Sequence, residues 1–266
     1  MTPSLPVALS IAGSDPSGGA GIQADLKTFS AHGVYGMAVV TALTAQNTHT
    51  VSGVHAVDPA FVTAQLITLL DDIVPGAIKV GMLANATIVC SVARAIAQLR
   101  VPIVLDPVMV STSGSALLSS DAEHALITRL LPHATLVTPN LPEAERLLGD
   151  TAPATWAARS GVALLLKDGH NVGTTVRDRL FLPDGTLHIF ESPRIDSRNT
   201  HGTGCTLSSA IAAGLALGHP LPEAVEHAHH WLATVIQQSA THTLGGGHGP
   251  LLHGPALRAR LPRGNG

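Results

Sequence analysis

"VALSIAGSDPSGGAGIQADLK", from Val7 to Lys27, decides the architecture. A short, almost wholly apolar run leads into a glycine-rich turn, and a helical segment comes after it. A strand that is apolar on both faces is buried on both sides. The same alternation recurs downstream. "MAVVTAL" (Met37–Leu43), "AIKVGM" (Ala77–Met82), "PIVLDPV" (Pro102–Val108), "ATLVTP" (Ala134–Pro139) and "VALLLK" (Val162–Lys167) read as further buried strands. Pro59–Ile73, Asn85–Leu99 and Asp121–Leu131 carry apolar residues at helical spacing. Strands alternating with helices predict an α/β fold with a mostly parallel central sheet covered by helices. Thr174–Leu182 and Thr186–Ser192 flank a "PDG" turn signal and predict an antiparallel hairpin at the sheet edge. Two helices, Thr203–Leu217 and Leu221–Gln238, come next, and a Gly/Pro-rich loop starts at Thr241. No linker, repeat or charge block divides the chain. One domain over residues 1–266 is expected, with a core at 7–253 and a loose tail at 254–266.

Composition narrows the function. The formal net charge is −3, with 15 Lys and Arg scattered along 266 residues, so there is no basic footprint for nucleic acid. No apolar run reaches the ~20 residues that cross a bilayer, so no membrane partner is expected. "MTPSLPVALSIAG" has no basic residue ahead of its short apolar run and is not expected to act as a secretory signal. The two cysteines, Cys90 and Cys205, fit no zinc spacing and suit a reducing, cytoplasmic setting.

In open parallel sheets, ligands gather beyond the carboxyl ends of the strands. Polar residues fall in those places here. The Gly13–Lys27 loop lets backbone approach a ligand, although it is neither GxGxxG nor a Walker loop. Asp106 ends "IVLD", while Asn140 and Glu143 follow "LVTP"; Asn140, just ahead of a helical start, also reads as a plain N-cap. "NTHGTGCTLSSAIAAGLALG" (Asn199–Gly218) places Gly202, Thr203, Gly204 and Cys205 at a helix N-terminus. Unpaired backbone N–H groups at the positive end of a macrodipole make an anion hole suited to phosphoryl transfer. A cysteine at that point is expected to have a lowered pKa. Cys90 reads as core.

"GSDPSGGAGIQADLK", "TALTAQNT", "VLDPVM", "TPNLPEAE", "RIDSRNTHGTGCTLSSAIAAGLA" and "GGGHGP" together resemble the hydroxymethylpyrimidine/phosphomethylpyrimidine kinases of thiamine biosynthesis. That family belongs to the ribokinase-like superfamily, which implies a three-layer α/β/α sandwich. The resemblance implies an ATP- and Mg²⁺-dependent enzyme that phosphorylates an aminopyrimidine alcohol and then its monophosphate. It places Cys205 at the catalytic position, with Gly202, Thr203 and Gly204 forming the anion hole. Asp25, Gln46, Met82 and Val108 fall at positions lining the pyrimidine pocket, with Gly13 and Ala20 at its rim. Asp106, Asn140, Glu143 and Lys167 fall on the nucleotide side, Asp106 and Glu143 being the metal-binding carboxylates. A homodimer is implied as well. Most sugar kinases and pyridoxal kinases of the superfamily carry Asp where this chain has Cys205.

Two departures stand out. The sequence reads Lys167-Asp168-Gly169-His170 where relatives usually have K-G-G-H, so the added carboxylate either repels ATP or points away toward a base. Leu148–Val162 looks short, as if a surface helix were trimmed. In "EHAHHW" (Glu226–Trp231), His227 and His230 share a helix face that is expected to be solvated. The alternatives are a pyridoxal kinase, a non-catalytic pyrimidine-binding relative, and a thiol hydrolase built on Cys205 with only His201 near by spacing.

Overall fold

A computed structural model describes residues 5–109, 119–169 and 173–254. The chain runs through β1 (Val7–Ala12), α1 (Gly21–Ala31), β2 (Tyr35–Val40), β3 (Ala42–Gln46), β4 (Val51–Ala56) and α2 (Pro59–Asp72). It continues through β5 (Ala77–Val80), α3 (Ala86–Ile96), β6 (Ile103–Leu105), α4 (Ser120–Ala125), β7 (Leu136–Val137), α5 (Leu141–Leu148), α6 (Pro153–Ser160) and β8 (Ala163–Leu166). The hairpin β9 (Thr175–Phe181) and β10 (Leu187–Pro193) precedes α7 (Thr203–Ala216) and α8 (Leu221–Ser239).

Eight strands form one sheet in the order β10-β9-β8-β7-β6-β5-β1-β2. The six strands from β8 to β2 are parallel, and β9 and β10 add antiparallel at the edge, as the sequence predicts. The period of two is visible in the packing. Leu9, Ile11, Ile78, Val80, Ile103, Leu105 and Val137 face one core with Val62 and Leu66 of α2 and Ile88 and Val92 of α3. Ala8, Ala77, Val104, Leu136 and Leu165 face the other, with Phe29 of α1, Leu207 and Ile211 of α7, and Val225 of α8. Layers of helices therefore cover both faces. The small residues of α7 let it lie close to the sheet and to α8, where a side chain at Gly214 would press on Ala224.

Three features differ from the sequence reading. The run Met37–Leu43 is not one strand: β2 ends at Val40, and Thr41 donates its hydroxyl to the Met82 carbonyl at 2.6 Å, turning the chain out of the sheet. Beyond that turn, β3 and β4 pair with each other as a separate antiparallel ribbon. The Asp121–Leu131 segment is α4 followed by a π turn at Leu126–Leu130 and a 3₁₀ turn at Leu131–His133. A helix, α6, does occupy the short stretch after Leu148, with Ala157 as its one buried residue. The expected tail beyond residue 254 lies outside the described residues.

One polar cluster crosses the second core. Ser10 and Lys79 face each other in the β1–β5 register, and both reach Asp25 of α1. Lys79 Nζ lies 2.9 Å from both Asp25 oxygens, Ser10 donates to Oδ2 at 2.6 Å, and Ser209 of α7 donates to Oδ1 at 2.7 Å. All four side chains are fully buried. Burial would lower the Lys79 pKa, but the Asp25 charge and hydrogen bond, together with the nearby Cys205 and Asp106, outweigh it and hold the ammonium well above its usual value. Removing one partner leaves an uncompensated buried charge. Lys79→Met is therefore expected to lower the free energy of urea unfolding by about 3–5 kcal/mol. Lys79→Met with Asp25→Asn should lose clearly less, because no bare charge remains and the serines keep a partner.

Candidate active site

The strand order reverses between β1 and β5: from β1 the chain steps outward to β2, whereas β5 to β8 step the other way. This is the topological switch point, where the carboxyl ends of adjacent strands part and leave a crevice. A cleft of about 660 Å³ opens there, lined by Gly13 after β1, Met82 after β5, Asp106 after β6, Asn140 after β7 and Lys167 after β8. The N-terminus of α7 closes its floor.

Gly202, Thr203, Gly204 and Cys205 at that N-terminus all line the cleft. Gly202 is the α7 N-cap in the left-handed region, at φ 82°, and a Cβ there would strike the Gly19 carbonyl of the glycine-rich loop after β1. Glycine is required on both grounds. Gly204 lies against Asp106 Oδ2 and Lys167 Nζ, each 3.6 Å from where a Cβ would stand, so the turn and the charged pair share one space. One expected donor is already engaged: the Thr203 amide leans back on the Thr200 carbonyl at 3.3 Å.

Cys205 lines the cleft, but its pKa departs from the expected direction. Burial raises it most, the Asp25 and Asp106 charges raise it further, and Lys79 and the Gly21 amide offset only part. The thiol is pushed up to about 11. Loss of solvent around sulfur outweighs the helix terminus, and the resting group is a thiol rather than a thiolate.

Asp106, Glu143 and Lys167 form the charged wall. Lys167 Nζ lies 3.1 Å from Asp106 Oδ1, Thr138 donates to the same oxygen at 3.2 Å, and Ser208 donates to Oδ2 at 3.3 Å. Burial would raise the Asp106 carboxyl, but Lys167 and Lys79 outweigh it and hold it low. For Glu143 burial wins and the pKa rises, with Lys167 opposing and Asp106 adding. Lys167 is raised because Asp106 and Glu143 more than offset its burial. Asn140 and Glu143 form a complete capping box on α5, each side chain bonded to the other's backbone N–H at 2.9 Å. The N-x-x-E pair is therefore both the cap and part of the cleft wall.

On the other side, Gly13, Ala20, Gln46, Met82 and Val108 line the cleft together, as expected. The Gln46 Oε1 accepts the Thr44 hydroxyl at 3.2 Å, which orients its amide. Asp25 does not join them. It is fully buried beneath the cleft and saturated by Lys79, Ser10 and Ser209, so its part is structural, at one remove from any ligand.

Sequence reasoning misses four groups: Lys79, Asp15, His229 and Asp178. Lys79 lines the cleft floor, and its signal is a charge inside an otherwise apolar strand. Asp15 accepts from Ser17, from the Gly19 and Ala20 amides, and lies 2.7 Å from His201 Nε2. Burial raises its carboxyl, yet His201 and Ser17 together bring it below the usual value. At the far end of the cleft, His229 Nδ1 lies 3.0 Å from Asp178 Oδ2, and its buried Nε2 has no partner among the described residues. Val176, Pro193, Ile195, Leu232 and Ile236 make that end apolar. Asp168 turns outward: its carboxylate accepts the Arg177 amide at 3.3 Å, and its own N–H donates to Asp178 Oδ1 at 2.9 Å. His170 lies outside the described residues.

Comparison with known proteins gives the family and the fold class. The family described as phosphomethylpyrimidine kinase matches residues 15–252. A hydroxymethylpyrimidine/phosphomethylpyrimidine kinase of Rhizobium meliloti is 48% identical over 257 residues, covering 93% of this chain and 96% of that protein. A phosphomethylpyrimidine kinase structure from Clostridium difficile aligns at a TM-score of 0.74 and 38% identity, covering 86% of this chain and 99% of the other. The ADP complex of Bacillus subtilis pyridoxal kinase aligns at 0.84 and 37% identity, covering 96% and 99%. By family and by fold, the chain belongs to the phosphomethylpyrimidine kinases of the ribokinase-like α/β class.

Proposed function

We propose that the protein transfers the γ-phosphoryl group of ATP to 4-amino-5-hydroxymethyl-2-methylpyrimidine and then to the resulting monophosphate. The observation that carries this reading is the α7 anion hole set between two dissimilar walls. One wall is Gly13, Ala20, Gln46, Met82 and Val108; the other is Asp106, Asn140, Glu143 and Lys167. Met82 and Val108 offer apolar faces to a ring, and Gln46 offers an amide to an aminopyrimidine edge. Lys167 meets the polyphosphate, and the apolar end beside His229 takes the base. The donor set suits Mg²⁺: Asp106 and Glu143 are hard carboxylates. Glu143 Oε2 is held by the Asn140 amide and Asp106 Oδ1 by Lys167, so the ion would be held through water. Bound there, Mg²⁺ would offset phosphate charge.

The chain acts as a single domain and a cytoplasmic homodimer in this reading. Leu43 and Val54, exposed on the β3–β4 pair, with Phe61 and Ile67 on α2, supply apolar surface for a second copy. Among the described residues no helix is long and apolar enough to cross a membrane. An ADP-release assay with the pyrimidine alcohol, its monophosphate and pyridoxal side by side tests the reading. Turnover of both pyrimidines well above pyridoxal is expected. Pyridoxal as the preferred substrate, or pyrimidine binding without ADP release, would overturn it.

Cys205 enters the reaction as a thiol. Phosphoryl transfer passes through a loose transition state with little bond making to the nucleophile, so positioning and charge stabilisation dominate and a strong base is not required. Cys205→Ala should therefore slow both phosphorylations alike, by about tenfold, the worth of one hydrogen bond. A general base would instead cost about 10²–10⁴-fold, in the alcohol step alone. Single-turnover rates separate the two. In the unliganded protein, alkylation of Cys205 followed by mass spectrometry should be slow at neutral pH and rise until about pH 11.

The nucleotide side gives a paired prediction. Asp168→Gly should leave the KM for ATP within about twofold, since the carboxylate accepts the Arg177 backbone amide and does not line the cleft. His229→Phe should raise the KM for ATP about five- to tenfold, the worth of one hydrogen bond, with little change for the pyrimidine. A fall in the ATP KM for Asp168→Gly would show that its charge reaches the phosphates.

A further inference from the structure

The corner between α7 and α8 brings three metal-binding side chains together. His219 lies in the turn after α7, and Glu223 and His227 lie one helical turn apart on α8. Their donor atoms all fall within 4.8 Å of one another, the one such group of His, Cys, Asp or Glu among the described residues. His219 Nδ1 already sits 2.8 Å from Glu223 Oε1, and the His219 and His227 rings meet edge to face with centroids 5.3 Å apart. His227 therefore converges with His219 and Glu223, while His230 stays apart on the solvated face.

The backbone under these residues is fixed. The His219 amide donates to the Gly214 carbonyl at 3.1 Å, Gly218 holds φ at 89°, and Pro220 and Pro222 bracket the entry to α8. Only side-chain torsions remain to be ordered. Zinc–nitrogen bonds of about 2.0–2.1 Å put the donors of a tetrahedral site about 3.4 Å apart. Small rotations of these exposed side chains bring the three donors to that spacing.

We infer that His219, Glu223 and His227 form a surface site for a borderline divalent cation of the zinc class, with a fourth position left to water. Two imidazoles and one carboxylate suit Zn²⁺ better than Mg²⁺, which prefers oxygen ligands throughout. The site stands apart from the phosphoryl-transfer centre. The 14-residue α7 separates its anion-hole end from this corner by about 20 Å. A bound ion would clamp the α7–α8 turn by linking His219, just ahead of the Pro220 N-cap, to the first two turns of α8.

Calorimetric titration of the full chain with zinc chloride, in excess Mg²⁺, tests the inference. One more equivalent of zinc is expected in the parent than in His219→Ala/His227→Ala. Glu223→Gln should weaken that step, and the double variant should keep its metal-free melting temperature. Cobalt(II) supplies a spectroscopic check: the parent should show d–d bands without thiolate charge-transfer bands, and the double variant should lose them. Equal zinc uptake by parent and double variant would overturn the site. So would thiolate bands, which would assign the ion to Cys90 or Cys205.

Discussion

The buried Asp25–Lys79 pair is the constraint on which the rest of the site depends. A carboxylate and an ammonium withdrawn from water cost several kcal/mol each unless their geometry is well satisfied. Here Ser10 and Ser209 complete the carboxylate's hydrogen bonds. The four residues come from β1, α1, β5 and α7, so satisfying one charge fixes two strands and two helices together. The same strands flank the switch point, and α7 carries the anion hole. Misplacing any of them would expose a charge to an apolar core. The arrangement thereby supplies specificity of assembly beyond what aliphatic packing alone demands.

The cluster also sets the charge around the phosphoryl site. Lys79 and Lys167 face Asp106, Glu143 and Asp25, so the cleft holds cations already matched by internal carboxylates. In the proposed reading a polyphosphate would have to compete with Asp106 for Lys167. A cation beside Asp106 and Glu143 would free Lys167 for the phosphates, so nucleotide and cation binding would support each other. Cys205 sits at the junction, and the Asp25 and Asp106 charges add to burial in keeping its proton on.

Much of this is legible in the sequence because burial writes itself into strand composition. β1 is the apolar run that opens the Val7–Lys27 stretch, and the parallel strands and edge hairpin fall within a few residues of expectation. The β3–β4 pair is hidden because neither ALTAQ nor VSGVHA alternates cleanly, and because β3 follows β2 after one residue, Thr41, whose bend depends on a carbonyl 41 positions away. α6 carries too little buried surface to show a periodicity. The resemblance puts Asp25 among the pocket residues, and its buried partner Lys79, 54 positions away, gives no local sign that the carboxylate is already engaged. The Cys205 pKa is misjudged for a related reason: a helix terminus is visible in "HGTGC", whereas desolvation depends on everything packed around it.

The contact between Asp15 and His201 joins the two halves of the cleft. Asp15 gathers the Ser17, Gly19 and Ala20 amides, so it holds the loop that bears Ala20 over one wall. His201, the residue before the anion hole, is tied to that carboxylate by its ring and to the Gly249 carbonyl by its amide. Gly202 then fits against the Gly19 carbonyl with no room for a side chain. The glycine-rich loop after β1 and the turn before α7 are thus joined directly, through the Asp15–His201 contact and the close fit of Gly202 on Gly19. In the proposed reaction this would matter, because the acceptor would grow by a phosphoryl group between the two steps while the Gly202–Cys205 turn stays in place. The distance from the Gln46–Met82 wall to that turn would then be set by the backbone, and the adjustment between the two acceptors would fall to the ligand's own methylene and to solvent.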